Sequence, residues 1–328
     1  MFRFEPHPLL RNAHAQTVAF ALWPREFPRL PRPVPREFEV EPGTRIRGDC
    51  HWQARPQERP TLVLVHGLEG SSDSAYMRGL AERAFAAGWN AVRLNQRNCG
   101  GTEALTPTLY HSGRSSDFRA VLAELIERDR LLEIFFAGYS MGGNLVLKMA
   151  GEIADGAPKQ LRGVAAVCPA LDLAACADAL ALPRNFLYEA RFVSGLKARM
   201  RRKAKLFPGI YDLRGLSRVR TVREFDDVIT ARFCGFQDAK DYYAQSSAVR
   251  VVGAIRVPTL VLTAQDDPFV PRETFSVPTL QENPSVTFVA AEHGGHCAFI
   301  SRDRGDKRFW AEASAMEFCL QKSSLKLT

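Results

Sequence analysis

The sequence predicts an α/β fold: a mostly parallel central sheet with helices on both faces and a helical lid inserted before the last strands. Three observations predict it. Short apolar runs alternate with amphipathic stretches along most of the chain. Those runs are apolar at consecutive positions, as strands buried on both faces require. The alternation pauses once, over residues 174–247, where the composition turns basic and aromatic. At 328 residues, 46% hydrophobic and 24% charged, the chain can bury one large core and reads as an ordinary globular protein.

Residues 1–34 form a proline-dotted arm with an apolar patch at 18–23, expected to pack on the core. Segments 36–41 and 45–52 alternate polar and apolar residues around Pro42-Gly43, the pattern of a hairpin. Residues 61–66 are a buried strand, 76–87 an amphipathic helix stopped by Gly88, and 89–95 a strand. A helix at 117–128, a strand at 133–138, a helix at 141–153 and a strand at 163–168 follow. After the pause come strands at 259–264 and 286–290 and a closing helix at 309–321. The core is therefore expected over 35–173 and 248–328, and the lid over 174–247. No internal repeat or low-complexity tract interrupts this order.

Seven cysteines, Cys50, Cys99, Cys168, Cys176, Cys234, Cys297 and Cys319, are scattered, with no C-x-x-C pair. That argues against a disulfide framework or a metal-binding cysteine cluster and fits a reducing compartment. The first eight residues carry Glu5, Pro6 and Pro8 where a secretory leader needs an apolar run. The longest apolar stretch, 163–182, is broken by Pro169, Asp172 and Asp178 and cannot span a bilayer. The expectation is a soluble, cytoplasmic protein, with peripheral membrane contact left open.

The candidate chemistry sits at three strand ends. Gly138-Tyr139-Ser140-Met141-Gly142 joins the strand at 133–138 to the helix beginning at Met141. A serine on such a sharp turn has small neighbours that avoid the backbone, and its hydroxyl stands above the sheet beside a helix N-terminus. The loop His66-Gly67-Leu68-Glu69-Gly70 follows the first core strand. It should supply one oxyanion donor, the amide of Leu68, paired with that of Met141. His66 itself reads as a turn-shaping residue.

Asp266-Asp267-Pro268-Phe269 follows one late strand, and His293-Gly294-Gly295-His296 the next. The order Ser140, Asp267, His296 is that of a nucleophile, acid and base on this kind of sheet. Asp266 and Asp172 are alternative acids, and His293 an alternative histidine. His293-x-x-His296 with Asp267 imitates a metal site, but no helix aligns it and no third donor completes it. Neither a metal nor a cofactor is expected.

The chain resembles the α/β-hydrolases, and more narrowly the YheT-like branch that includes the embryogenesis-associated hydrolases. The resemblance spans nearly the whole length. It rests on Leu10-Arg-Asn-Ala-His-Ala-Gln-Thr17, on His66-Gly-Leu-Glu-Gly-Ser-Ser-Asp73, and on Tyr110-His-Ser-Gly113. It continues through Gly138-Tyr-Ser-Met-Gly-Gly-Asn144, Asp241-Tyr-Tyr243, Asp266-Asp-Pro-Phe269 and His293-Gly-Gly-His296. It implies a triad of Ser140, Asp267 and His296 beneath a helical cap. Animal relatives act on acyl-glycerols and phospholipids. The family's arginine-cysteine-glycine loop appears here as Arg97-Asn98-Cys99-Gly100, with Asn98 inserted.

The function expected is a serine-dependent carboxylic-ester hydrolase that forms an acyl-enzyme on small-molecule or lipid esters. Alternatives are an acyltransferase on the same triad and a binding protein that kept the fold. The net charge of +8 sits in residues 184–232, which hold 13 Lys/Arg against 5 Asp/Glu. The run Lys197-Ala-Arg-Met-Arg-Arg-Lys-Ala-Lys205 reads first as a solvated helix face on the lid. A sharper reading is attraction to an anionic membrane. No nucleic-acid motif accompanies the charge, so no nucleic-acid partner is expected.

Overall fold

In the computed structural model, which describes residues 3–325, eight strands form one sheet in the order β1-β2-β4-β3-β5-β6-β7-β8. The outermost ends of the expected arm and core, residues 1–2 and 326–328, lie outside the described residues. Strands β1 (Val34–Glu41) and β2 (Thr44–His51) make the antiparallel hairpin, and β2 pairs antiparallel with β4 (Asn90–Leu94). From there the sheet is parallel through β3 (Thr61–Val65), β5 (Ile134–Tyr139), β6 (Leu161–Val167), β7 (Thr259–Ala264) and β8 (Val286–Ala291).

The continuous apolar strands are explained by their two faces. Val63 and Val65 of β3 join one core cluster, while Leu62 and Leu64 join the other. Ile134 and Phe136 of β5 divide from Phe135 and Ala137 in the same way. The first cluster is covered by α3 (Ser115–Glu127) and α4 (Met141–Ile153), the second by α2 (Ala75–Ala86) and α11 (Trp310–Lys322). Each fully buried Leu, Val or Phe contributes roughly 1.5–3 kcal/mol of transfer free energy, so both layers stabilise the sheet.

The arm is not a plain extended cover. It contains α1 (Ala13–Leu22), whose N-cap Asn12 accepts the Ala15 amide at 3.0 Å. Gln16 of α1 is fully buried and donates to Leu10 O at 2.7 Å, while accepting the Ile300 amide at 3.0 Å. The first helix thereby docks on the segment after β8.

Between β6 and β7 the chain forms α5 (Leu173–Leu180), α6 (Phe186–Leu206) and α7 (Val222–Phe225). A π-helical turn at Asp226–Ala231, α8 (Arg232–Cys234) and α9 (Ala239–Ser246) complete the segment. Leu109, Val193, Leu196, Met200, Phe225 and Ile229 pack there into a cluster of their own. The basic run on α6 is less solvated than expected. Arg199 and Lys203 are buried, Arg199 against Glu69 and Lys203 on the carbonyls of Glu103 and Thr106. Arg202 pairs with Glu103 at 2.9 Å, and Lys197 donates to Val219 O at 2.6 Å. Burial of those charges demanded partners, and the loop after β4 supplies several of them. α10 (Pro278–Gln281) lies between β7 and β8.

Candidate active site

Ser140 sits at the junction of β5 and α4 with φ 54° and ψ −118°, a conformation that side chains other than glycine seldom adopt. Backbone bonds fix it there. Its N–H donates to Val167 O at 2.9 Å, and its carbonyl accepts the amides of Asn144 and Ala170. The two flanking glycines are required by space: a Cβ at Gly138 would overlap the Gly142 carbonyl, and one at Gly142 would overlap the carbonyls of Val65 and His66. The serine turn is thus wedged against the end of β3.

That wedge brings the two expected oxyanion donors to the same place. A Cβ built on Gly67 would lie 3.2 Å from the Ser140 Cβ, so the loop carrying Leu68 runs beside the hydroxyl. Leu68, Ser140, Met141 and His296 all line one cavity of about 860 Å³, counting its open mouth. His66 is buried behind this loop. Its Nδ1 bonds Gly67 O at 2.7 Å, and its Nε2 accepts the Gln96 amide at 3.2 Å. Burial lowers its pKa to about 4, so it is a neutral, one-tautomer brace for the turn.

The expected acid and base meet as well. His296 Nδ1 lies 2.9 Å and 3.1 Å from the two Asp267 carboxylate oxygens, and the Asp267 side chain is wholly inaccessible. An ionised carboxylate only accepts, so Nδ1 carries the proton and Nε2 is the nitrogen left for chemistry. Asp267 is oriented in turn by the amides of Phe269 and Val270, at 2.8 Å and 3.1 Å. Burial is the largest single influence and pushes the imidazole pKa down, but the Asp267 charge and hydrogen bond, together with Cys297, outweigh it and hold the group well above its ordinary value.

The competing residues are engaged elsewhere. Asp172 caps α5 through the amides of Ala174 and Ala175. Asp266 accepts the Gly295 amide at 2.9 Å and faces His293 at 3.4 Å. Among the described residues, the donors that converge as a metal set would are Cys168, His296 and Cys297, within 4.8 Å of one another, and not the pair His293 and His296. A cation there would compete for the imidazole that pairs with Asp267.

Three contributors escaped the sequence reading of the site. Thr17 of α1 accepts the His296 amide at 2.9 Å. Asn144 of α4 bonds Ser112 O, Ser246 O and the Ala248 amide, tying the serine helix to the loop before α3 and to the C-terminal end of the segment that lines the cavity. Asp226, in the π-helical turn, is buried on the cavity wall and accepts from Tyr243 and Thr230, each at 2.7 Å. Thr17 and Asn144 both lie in the family-like motifs, which was the available signal. The remaining cavity wall is largely apolar: Leu173, Ala177 and Leu180 from α5, Phe192 and Leu196 from α6, and Val222 and Phe225 from α7.

A family model described as the alpha/beta hydrolase fold matches residues 60–303. YheT of Escherichia coli (strain K12) is 34% identical over 94% of this chain and 91% of its own length. The phospholipase ABHD3 of Mus musculus is 30% identical over 74% of this chain and 59% of its own. Among solved structures, the esterase Pf2001 of Pyrococcus furiosus superposes with a TM-score of 0.58, covering 98% of each chain at 16% identity, a likeness of fold.

Proposed function

Because the chain belongs to the alpha/beta hydrolase fold family, in the branch that includes YheT, and is a carboxylic-ester hydrolase, we propose that it acts through Ser140, His296 and Asp267. The observation that carries this reading is the His296–Asp267 pair at 2.9 Å, whose His296 lines the same cavity as Ser140. In the reaction, Ser140 Oγ attacks the ester carbonyl while His296 Nε2 takes its proton. The developing oxyanion is held by the amides of Leu68 and Met141. The carbonyl re-forms, the C–O bond breaks, and the alcohol departs with the proton from His296. Water, deprotonated by the same imidazole, then attacks the acyl-enzyme and releases the acid.

The apolar wall formed by α5, α6 and α7 suits an acyl chain, and residues 174–247 act in this reading as a lid over it. Among the described residues no helix is long and apolar enough to cross a membrane. Contact with an anionic lipid surface is assigned to the start of α6. There Leu182, Phe186 and Leu187 are exposed beside the exposed Arg184 and Arg191, whereas much of the 197–205 run is engaged internally.

The test is labelling with a fluorophosphonate probe together with turnover of p-nitrophenyl esters of increasing chain length. Wild type should be labelled and active, and Ser140→Ala should be neither while keeping its fold by circular dichroism. Retention of most activity by Ser140→Ala would remove the assignment.

A further inference from the structure

Glu69 directly follows Leu68 in the oxyanion loop and has φ 58°, a left-handed conformation unusual for a glutamate. Its side chain is held by two donors from outside the sheet. Arg199 Nη2 of α6 lies 3.1 Å from Glu69 Oε1, and the Tyr110 hydroxyl donates to the same oxygen at 3.0 Å. The Arg199 guanidinium also lies over the Tyr110 ring, 4.9 Å from its centre, and bonds Cys99 Sγ. α6 comes so close here that a Cβ at Gly195 would overlap Glu69 Oε2. Leu196, on the next residue of α6, lines the cavity together with Leu68.

We propose that Arg199 is a positioning residue: through Glu69 it sets the backbone of Leu68, so that the oxyanion site is complete only when α6 is seated on the core. The inference rests on the triad reading above. The Leu68 N–H lies in the Gly67–Leu68 peptide, one rigid plane before the Leu68–Glu69 peptide, so a displacement of Glu69 reaches it through the φ and ψ of Leu68. The turn bond from the Gly70 amide to Gly67 O at 3.1 Å holds the left-handed glutamate from one side, and the clamp holds it by its side chain from the other. Arg199 reaches no reacting atom. It acts through Glu69, and the pair converts the position of α6 into the geometry of an N–H at the reacting carbonyl. Substrate that seats α6 against the core then assembles the machinery that consumes it.

The experiment compares Arg199→Met, Arg199→Lys, Glu69→Gln and the double variant Glu69→Gln/Arg199→Met on a short soluble ester. Removal of one oxyanion donor costs about 10²–10³ in kcat, and a loosened donor should cost about 10–100-fold. We expect that loss in kcat for each single removal, with KM changed by less than about threefold and part of the loss restored in Arg199→Lys. The double variant should be no worse than the poorer single one, because both break one contact. Binding of a trifluoromethyl ketone, whose hemiketal oxyanion occupies the same amide pair, should weaken in step with kcat. Should Arg199→Met not fold, Tyr110→Phe carries the test, with a smaller loss in kcat and ketone affinity expected. Folded, fluorophosphonate-labelled variants with kcat and ketone affinity unchanged, or losses that multiply in the double variant, overturn the clamp alone. Absence of labelling in wild type overturns the triad and the clamp with it.

Discussion

The hydroxyl of Thr17 accepts the backbone N–H of His296 at 2.9 Å while donating to Ala13 O at 2.7 Å, so the first helix of the chain holds the loop that presents the imidazole. Both capacities of the hydroxyl are used, which makes the position sensitive to its chemistry more than to its size. Thr17→Val should leave the His296 amide without an acceptor at a cost of about 1–3 kcal/mol. The expected outcome is roughly a tenfold loss in kcat/KM, with the thermal midpoint lowered, while Thr17→Ser stays near wild type. Assay and melting curve on the three proteins decide it: an active Thr17→Val would show that the loop is held without this bond.

The pH–rate profile follows from the two charges at the site. In the proposed reaction His296 must be neutral to take the Ser140 proton, and Asp267 together with Cys297 outweighs burial to hold its pKa above the ordinary value. Activity should therefore rise with pH through an inflection above that of a free histidine. In Asp267→Asn burial acts unopposed by that charge, so the inflection should move to lower pH as kcat falls by about 10⁴-fold. An inflection that stays in place would mean that another group governs the profile.

Gly142→Ala tests the wedge between the serine turn and β3. The added methyl has no free volume, since the carbonyls of Val65 and His66 occupy it. The backbone must shift, so the expected result is an inactive protein destabilised by about 3 kcal/mol or more, measured by denaturant unfolding. A stable, active Gly142→Ala would mean that the turn tolerates a different path.

Acid should weaken the fold before it protonates the carboxylates at large. Burial lowers the pKa of His51 and His66 to about 4 and that of His111 to about 3. The unfolded chain binds protons at these positions from about pH 6.5 downward, and the folded chain refuses them until pH 4 or 3. Stability is thus full above about pH 6.5 and falls as pH drops toward 4, by up to about 3 kcal/mol per group. His66→Gln should flatten part of that slope in a urea titration series, and an unchanged slope would assign the loss to other groups.

The strands were readable because burial on both faces disfavours polar residues, so 62–65 is apolar throughout. Ser140, Asp267 and His296 stood out because each follows a strand; Asp267 and His296 meet at 2.9 Å, and Ser140 and His296 line one cavity. Spacing did not disclose α1, whose ten residues carry no charged Lys, Arg, Asp or Glu and only a weak amphipathic pattern, in a proline-rich arm. It did not disclose the fate of Arg199 and Lys203 either. Their partners, Glu69, Glu103 and Thr106, lie about a hundred residues earlier or more, and a helix facing solvent has the same local sequence as one facing a buried carboxylate.

The docking of α1 on the segment after β8 has a consequence for synthesis. Ser140 is held only once β6 has followed it, through Val167 and Ala170, and the loop of His296 needs α1 to seat it. A chain in which α1 has not yet closed on the segment after β8 therefore carries Ser140 without a seated His296, and on the proposed triad competence arrives only with that closure.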